Sequence, residues 1–244
     1  YEKSPKLIKE QKKNIKFKNI KLKKNLKKLG KSPSIFLANE FFDAIPIKQF
    51  LKSRNNWFEK FVHLSKNKKV KFVNKRINIK KIEKKINFKI SNKQNFMEYS
   101  PLGLKYLKDI FRFIKKNNGG LLIIDYGYFD EKMQDTLQAI YKQKYSRVLE
   151  NIGKSDITYN INFYFIKKIA KNFKELNINF TSQKKFLTNL GILQRAEIIG
   201  KNKTFSEKSD IFYRLKRLID KKEMGDLFKV MLIKRSNNNY QIGF

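Results

Sequence analysis

The 244-residue chain has no cysteine and one histidine, His63. Disulfide scaffolds and cysteine-ligated zinc or iron–sulfur sites are therefore excluded, and imidazole chemistry has almost nothing to work with. Ten glycines and four prolines are too sparse for a linker, and no two glycines stand in a G-x-G spacing. There is no internal repeat. With no run of roughly 18 uncharged apolar residues, no membrane-spanning helix and no membrane insertion are expected. The length suits one α/β domain with room for an insertion.

Acidic residues are also few: 57 Lys+Arg stand against 21 Asp+Glu, a formal charge of +36. Only 8 of the basic residues are Arg, and Lys, Asn, Ile and Phe together supply 125 of the 244 residues, whereas Ala and Val contribute 5 each. Those four abundant types have A/T-rich codons, so base bias in the genome is the simplest source of the charge. A nucleic-acid surface would gain from Arg, whose planar fork reads bases and phosphates bidentately. The chain is poor in Arg and carries no glycine–aromatic RNA-binding signature, so no specific nucleic-acid partner is expected.

Helical and strand patterns alternate. Tyr1-Glu2-Lys3-Ser4-Pro5 reads as the end of a strand followed by a helix start, with Ser4 as N-cap and Pro5 in the first turn of a helix over 4–15. Because Tyr1 is not an initiator Met, the sequence reads as a fragment cut within a domain. Residues 34–39 form a short apolar run of strand length. Alternation over 57–64, 70–79 and 85–90 suggests a β-hairpin-like insertion spanning 51–96. Leu104, Leu107, Ile110, Phe111 and Ile114 recur at helical spacing up to Asn118-Gly119-Gly120, and Leu121 to Asp125 follows as a strand apolar enough to be covered on both faces. A second helix is expected from Ile166, Ile169, Ala170, Phe173 and Leu176, a third from Phe186, Leu187, Leu190 and Ile192, and a last strand over 228–233. This alternation is that of a doubly wound α/β sheet.

In such a sheet ligands bind beyond the carboxyl ends of the strands. Three acidic strand ends qualify: Glu2, the Asn39-Glu40-Phe41-Phe42-Asp43 segment, and Asp125-Tyr126-Gly127. A carboxylate in Glu2's position either accepts from both ribose hydroxyls of an adenosine cofactor or serves as a cap. Glu40 and Asp43, three residues apart among Phe41, Phe42 and Ile45, either cap a helix or await a partner such as a guanidinium. His63 and Trp57 read as a surface and a packing residue.

The segment Ala38-Asn39-Glu40-Phe41-Phe42-Asp43-Ala44-Ile45-Pro46-Ile47-Lys48-Gln49-Phe50 resembles the ANEFFDALPV..QF stretch of the MidA-like S-adenosylmethionine-dependent methyltransferases. The likeness continues in order through Gly120 to Gly127, Asp135 to Ala139, Gly153 with Asp156-Ile157-Thr158 to Asn162-Phe163, Thr181-Ser182-Gln183, and Met224 to Val230. Glu2-Lys3-Ser4-Pro5 with Leu7 and Gln11 resembles the family's E.SP.L...Q segment.

The resemblance implies a class I methyltransferase, a Rossmann-like doubly wound sheet of seven strands with a β-rich insertion. It implies S-adenosyl-L-methionine as cofactor, with contacts at Glu2, Ala38 and Asn39. The implied partner is a protein with an acceptor arginine, in mitochondrial members a respiratory complex I subunit. From residue type and strand-end position, Glu40 and Asp43 are expected to grip the guanidinium. Asp125 and Tyr126 are expected on the acceptor side, although Asp125 also suits a buried structural role. The family's glycine-rich loop and first strand have no counterpart here, so the 244 residues alone are expected to be unstable, inactive and unable to bind cofactor. The rival reading is a noncatalytic assembly or docking factor that keeps the fold. The expected location is the bacterial cytoplasm, or the mitochondrion if the chain is eukaryotic.

Overall fold

The computed structural model describes Glu2 and residues 4–17, 19–23, 29–90 and 94–244. The chain falls into two units, Tyr1–Pro33 and Ser34–Phe244. In the first, α1 (Pro5–Asn14) begins as the sequence suggests: the Ser4 hydroxyl accepts from Leu7 N–H at 3.3 Å, and Pro5, which has no N–H to satisfy, sits in the first turn. The strand expected to end at Tyr1 and Glu2 lies partly outside the described residues.

In the second unit, β1 (Ser34–Asn39) runs parallel to β6 (Gly119–Tyr128), with Ala38 opposite Ile123 and Asn39 opposite Ile124. On the other side of β6 lie β12 (Phe228–Arg235) and then β11 (Leu176–Ser182), both added antiparallel. A two-residue strand, β10 (Ile161–Asn162), pairs with the end of β6 at Gly127 and Tyr128. The sheet is thus mixed and five-stranded among the described residues; of the seven strands that the resemblance implies, the first was expected to have no counterpart here.

One face of this sheet packs against α3 (Pro101–Asn117) and α4 (Phe163–Lys171). Leu121, Ile123, Met231 and Ile233 are completely buried there, and Phe36 meets Phe113 edge-on at 5.4 Å. The other face is covered only in part. Ile35 and Leu37 of β1 are 86% and 68% exposed, and Leu122 is half-buried, so the expectation that both faces are covered fails at this end of the sheet.

Residues 48–99 build a second, antiparallel sheet of order β4-β3-β2-β5, from β2 (Lys48–Ser53), β3 (Asn56–Leu64), β4 (Val70–Ile77) and β5 (Phe96–Tyr99). Residues 85–90 are not a strand. Asn78 caps α2 (Ile79–Ile86), accepting from Lys80 N–H at 3.0 Å, and Asn87 ends it with a left-handed φ of 58°. His63 is exposed on β3. A third sheet, β8-β7-β9, joins β7 (Gln138–Tyr141), β8 (Lys144–Ser146) and β9 (Asp156–Thr158).

Two expected helices are cut short. The one through Ile166 ends at Lys171, and Leu176 instead opens β11, where Leu176, Ile178 and Phe180 repeat every second residue. The one through Phe186 is α5 (Gln183–Asn189). It stops before Gly191, whose φ of 79° breaks the helical path, and Ile192 starts α6 (Ile192–Gly200). The chain then forms α7 (Phe205–Ile219) and the single turn α8 (Met224–Leu227).

Candidate functional site

The carboxyl ends of β1 and β6 face the short third sheet, and the turn between β1 and β2 lies between them. Glu40 N–H continues the β1–β6 ladder by donating to the Ile124 carbonyl at 3.0 Å. Glu40 itself has a φ of +44°, in the left-handed region that costs a residue with a Cβ. That twist turns the chain out of the sheet and leaves the Glu40 side chain exposed.

The next two amides are captured from beneath. Asp125, fully buried at the end of β6, accepts through one carboxylate oxygen from Phe41 N–H at 3.2 Å and Phe42 N–H at 3.0 Å. Its other oxygen accepts from Tyr126 N–H at 2.9 Å. Burial, then the charge of Asp43, pushes the Asp125 carboxyl up to about 7 against the pull of these backbone N–H groups. Asp125 therefore lies behind the turn and shapes it, and does not line the cleft in front.

Asp43 is 5% exposed, and its Oδ1 has no hydrogen-bond partner. No helix starts here: residues 42–45 form a turn leading to β2, so the capping alternative for Glu40 and Asp43 does not apply. Burial raises the Asp43 carboxyl above the usual carboxylate range, and the charges of Glu40 and Asp156 add to this, opposed by the backbone N–H groups of Ala44 and Asp43. Tyr126, stacked at a tilt on Phe228 with centroids 4.1 Å apart, is held neutral by burial and then by Glu40 and Asp43, with Arg217 acting the other way.

Glu40, Asp43 and Tyr126 form one wall of a cleft of about 520 Å³ whose other wall is Gln138, Asp156 and Thr158 from β7 and β9. The far wall is tied down. Gln138 Nε2 donates to Thr158 Oγ1 at 3.3 Å, Asn160 N–H to Thr136 Oγ1 at 2.9 Å, and Tyr159 N–H to the Asp43 carbonyl at 3.3 Å. Thr136 in turn donates to buried Glu98 at 2.6 Å, and Gln49 Nε2 bridges Glu98 and Asp135 at 2.6 and 2.7 Å. The second and third sheets thus share one polar network that fixes the wall against the turn.

In a chain with 57 basic residues, no Lys or Arg lines this cleft. Among the described residues none of its three carboxylates has an ion-pair partner, and no acidic group is arranged to hold a metal ion. An organic cation with several N–H donors meets that demand. A groove of similar size on the open sheet face, lined by Ile35, Leu122, Leu232, Phe186 and Ile242, offers Lys234 as its one charge and no such chemistry.

Of the remaining residues implicated from sequence, Ala38 is buried at the end of β1 and Asn39 beside it is exposed. Glu2, in the first unit, accepts from Ser4 N–H at 2.7 Å through one oxygen, which is a capping contact. Asp156 falls in the segment from Gly153 to Phe163 that carries the family resemblance, and the sequence by itself assigns it no role. Its only signal was that resemblance, because a three-residue strand has no readable period.

A family model described as "Putative S-adenosyl-L-methionine-dependent methyltransferase" matches residues 1–181. The mitochondrial protein arginine methyltransferase NDUFAF7 of Danio rerio is 29% identical over 199 residues, covering 80% of this chain and 46% of that protein. The Homo sapiens protein of the same name is 26% identical over 208 residues, covering 84% and 46%. The chain spans about half the length of the curated relatives it matches. Two Burkholderia thailandensis structures of one superfamily share the fold. One, at 21% identity and a TM-score of 0.76, covers 90% of this chain and 60% of its own. The other, described as a "likely methyl transferase" bound to S-adenosyl-homocysteine, has 20% identity and a TM-score of 0.73 over 90% of this chain and 58% of its own.

Proposed function

We infer, for a chain that belongs to the S-adenosyl-L-methionine-dependent methyltransferase family, that the acidic cleft is the acceptor side of a protein arginine N-methyltransferase. The observation that carries this is a cleft lined by three carboxylates, Glu40, Asp43 and Asp156, with no Lys or Arg in its lining and no ion-pair partner for any of them among the described residues. A guanidinium supplies planar, paired N–H donors to such oxygens. The names of the relatives support arginine as the acceptor; a respiratory complex I subunit, implied by the sequence resemblance, is the finer reading of the substrate.

The residues present fit one end of the family's cofactor in charge. Asn39 and Glu40 at the end of β1 are exposed acceptors beside an acidic rim, which suits a positively charged sulfonium. The cofactor supplies an electrophilic methyl group. The chain's part is alignment: Glu40 and Asp43 fix the guanidinium so that one nitrogen faces the methyl carbon. As the N–C bond forms and the S–C bond breaks, that nitrogen sheds a proton. Asp43, made more basic by its burial, is placed to receive it.

The test is transfer of labelled methyl from S-adenosyl-L-methionine to arginine-containing proteins and peptides by the gene's complete product, with E40Q alongside. Loss of label in a folded E40Q protein supports the reading. Binding of the methyl donor with no transfer to any arginine acceptor, and cellular function retained by E40Q, sinks it in favour of the docking role.

A further inference from the structure

Asp156 opens β9 with its backbone fixed in the β7–β9 ladder opposite Ile140, yet its side chain is exposed and makes no ion pair among the described residues. It lines the same cleft as Glu40 and Asp43 from a different sheet, close enough for its charge to reach the Asp43 carboxyl. The wall that carries it is held to the turn by the Tyr159–Asp43 backbone bond and the Thr136–Glu98 network, so the separation of the two acidic walls is set by the fold. Asp43 brings a buried carboxylate to the cleft lining, and no Lys or Arg of the chain lines the cleft to pair with it.

We propose that Asp156 is a substrate-binding residue that takes the edge of the acceptor guanidinium facing away from Glu40 and Asp43, so that the cleft selects arginine over lysine. This rests on the arginine methyltransferase reading above. A guanidinium is a flat fork with donors on more than one edge, and two opposed acidic walls complement it on two sides. A lysine ammonium, a compact point charge, satisfies one wall and leaves the other unmatched. Thr158 and Gln138 beside Asp156 complete a polar lining with no competing cation.

The probes are the blocked peptides acetyl-Gly-Arg-Gly-amide and acetyl-Gly-Lys-Gly-amide, titrated into the gene's complete product. D156N, D156E and E40Q are compared with wild type, and methyl transfer is measured in parallel. Because Asp156 is exposed, D156N is expected to melt with the wild type. The expected result is an affinity for the arginine peptide that falls about tenfold to a hundredfold in D156N, as loss of one charge-assisted hydrogen bond predicts. It should be partly restored in D156E and accompanied by a higher KM with kcat less affected. The lysine peptide should bind wild type and D156N alike. If the arginine peptide binds wild type, is lost in E40Q and is unchanged in D156N, the role of Asp156 is overturned while the arginine reading stands. If the arginine peptide does not bind wild type at all, both fail.

Discussion

Asp125 holds the backbone of Phe41 and Phe42 through a single carboxylate oxygen, at 3.2 and 3.0 Å, from the end of the neighbouring strand. The bond spans the two parallel strands at the point where β1 leaves the sheet. It sets the turn that carries Glu40 on one side and Asp43 on the other. Residues 84 positions apart in sequence therefore decide together where the acidic cleft stands.

The first prediction concerns pH. With the Asp125 carboxyl pushed up to about 7 in the fold, the folded state holds its proton through a range in which the unfolded chain has lost it. Its stabilising effect is complete below the ordinary carboxylate range and fades as pH rises through 7, by at most about 1.4 kcal/mol per pH unit from this group. Urea melts between pH 5 and 8 should show stability falling with pH, and D125N should flatten that slope. An unchanged slope in D125N would show that the carboxyl is not protonated in the fold.

Glu40 makes the opposite trade. Replacing it with glycine removes the cost of a Cβ at φ +44°. Glycine's own chain entropy offsets part of this, so E40G should be more stable by roughly 0.5–1 kcal/mol while methyl transfer is lost. Thermal melts and labelled-methyl transfer on the same preparation test both halves. Destabilisation in E40G would mean that the backbone at this turn is not strained.

Asp43 should separate folding from chemistry in the same way. D43N removes a buried carboxyl whose charged form burial disfavours, so its stability at pH 8 should equal or exceed that of the wild type. Methyl transfer should fall by about a hundredfold or more, as for loss of a proton acceptor. Transfer at the wild-type rate would remove Asp43 from the reaction.

The wall on the far side depends on Thr136, which donates to Glu98 and accepts from Asn160 N–H. T136V keeps the shape and removes both bonds, leaving buried polar groups unmatched at a cost of about 1–3 kcal/mol. Hydrogen exchange should rise at Asn160 and along β9 before it rises in β6. Uniform loss of protection would mean that the network supports the whole fold and not this wall.

What the sequence disclosed follows the strength of its local signals. β1, β6, α3 and β12 are apolar runs bounded by Pro33, by Gly119-Gly120, or by an amphipathic stripe, and the fold places them where those signals fall. α2 lies between the expected strands over 70–79 and 85–90, which overlap only its ends, although Ile79, Ile82 and Ile86 repeat at helical spacing; the Lys-rich sequence around them dilutes the contrast. The β7–β9 sheet was missed for a different reason. Its strands have three or four residues, and its hairpin turns on Lys142 and Gln143, both at positive φ without a glycine or asparagine to announce it. The same held at the cleft. Glu40 and Asp43 were visible as acids after an apolar strand, but Asp156 is brought opposite them by tertiary structure alone. Asp125 disclosed its position, and only its three backbone bonds show what that position is for.

Among the described residues of the 244-residue chain β1 is hydrogen-bonded by β6 alone, and it presents Ile35 and Leu37 to water. Such an open edge is a template for adding another strand, and the +36 charge of the 244-residue chain opposes a second copy of it doing so. Added salt shortens the reach of that repulsion and leaves the open edge untouched. The colloidal behaviour is therefore inverted from that of an ordinary basic protein: light scattering should stay low in dilute buffer and climb as ionic strength rises, and I35K should abolish the climb.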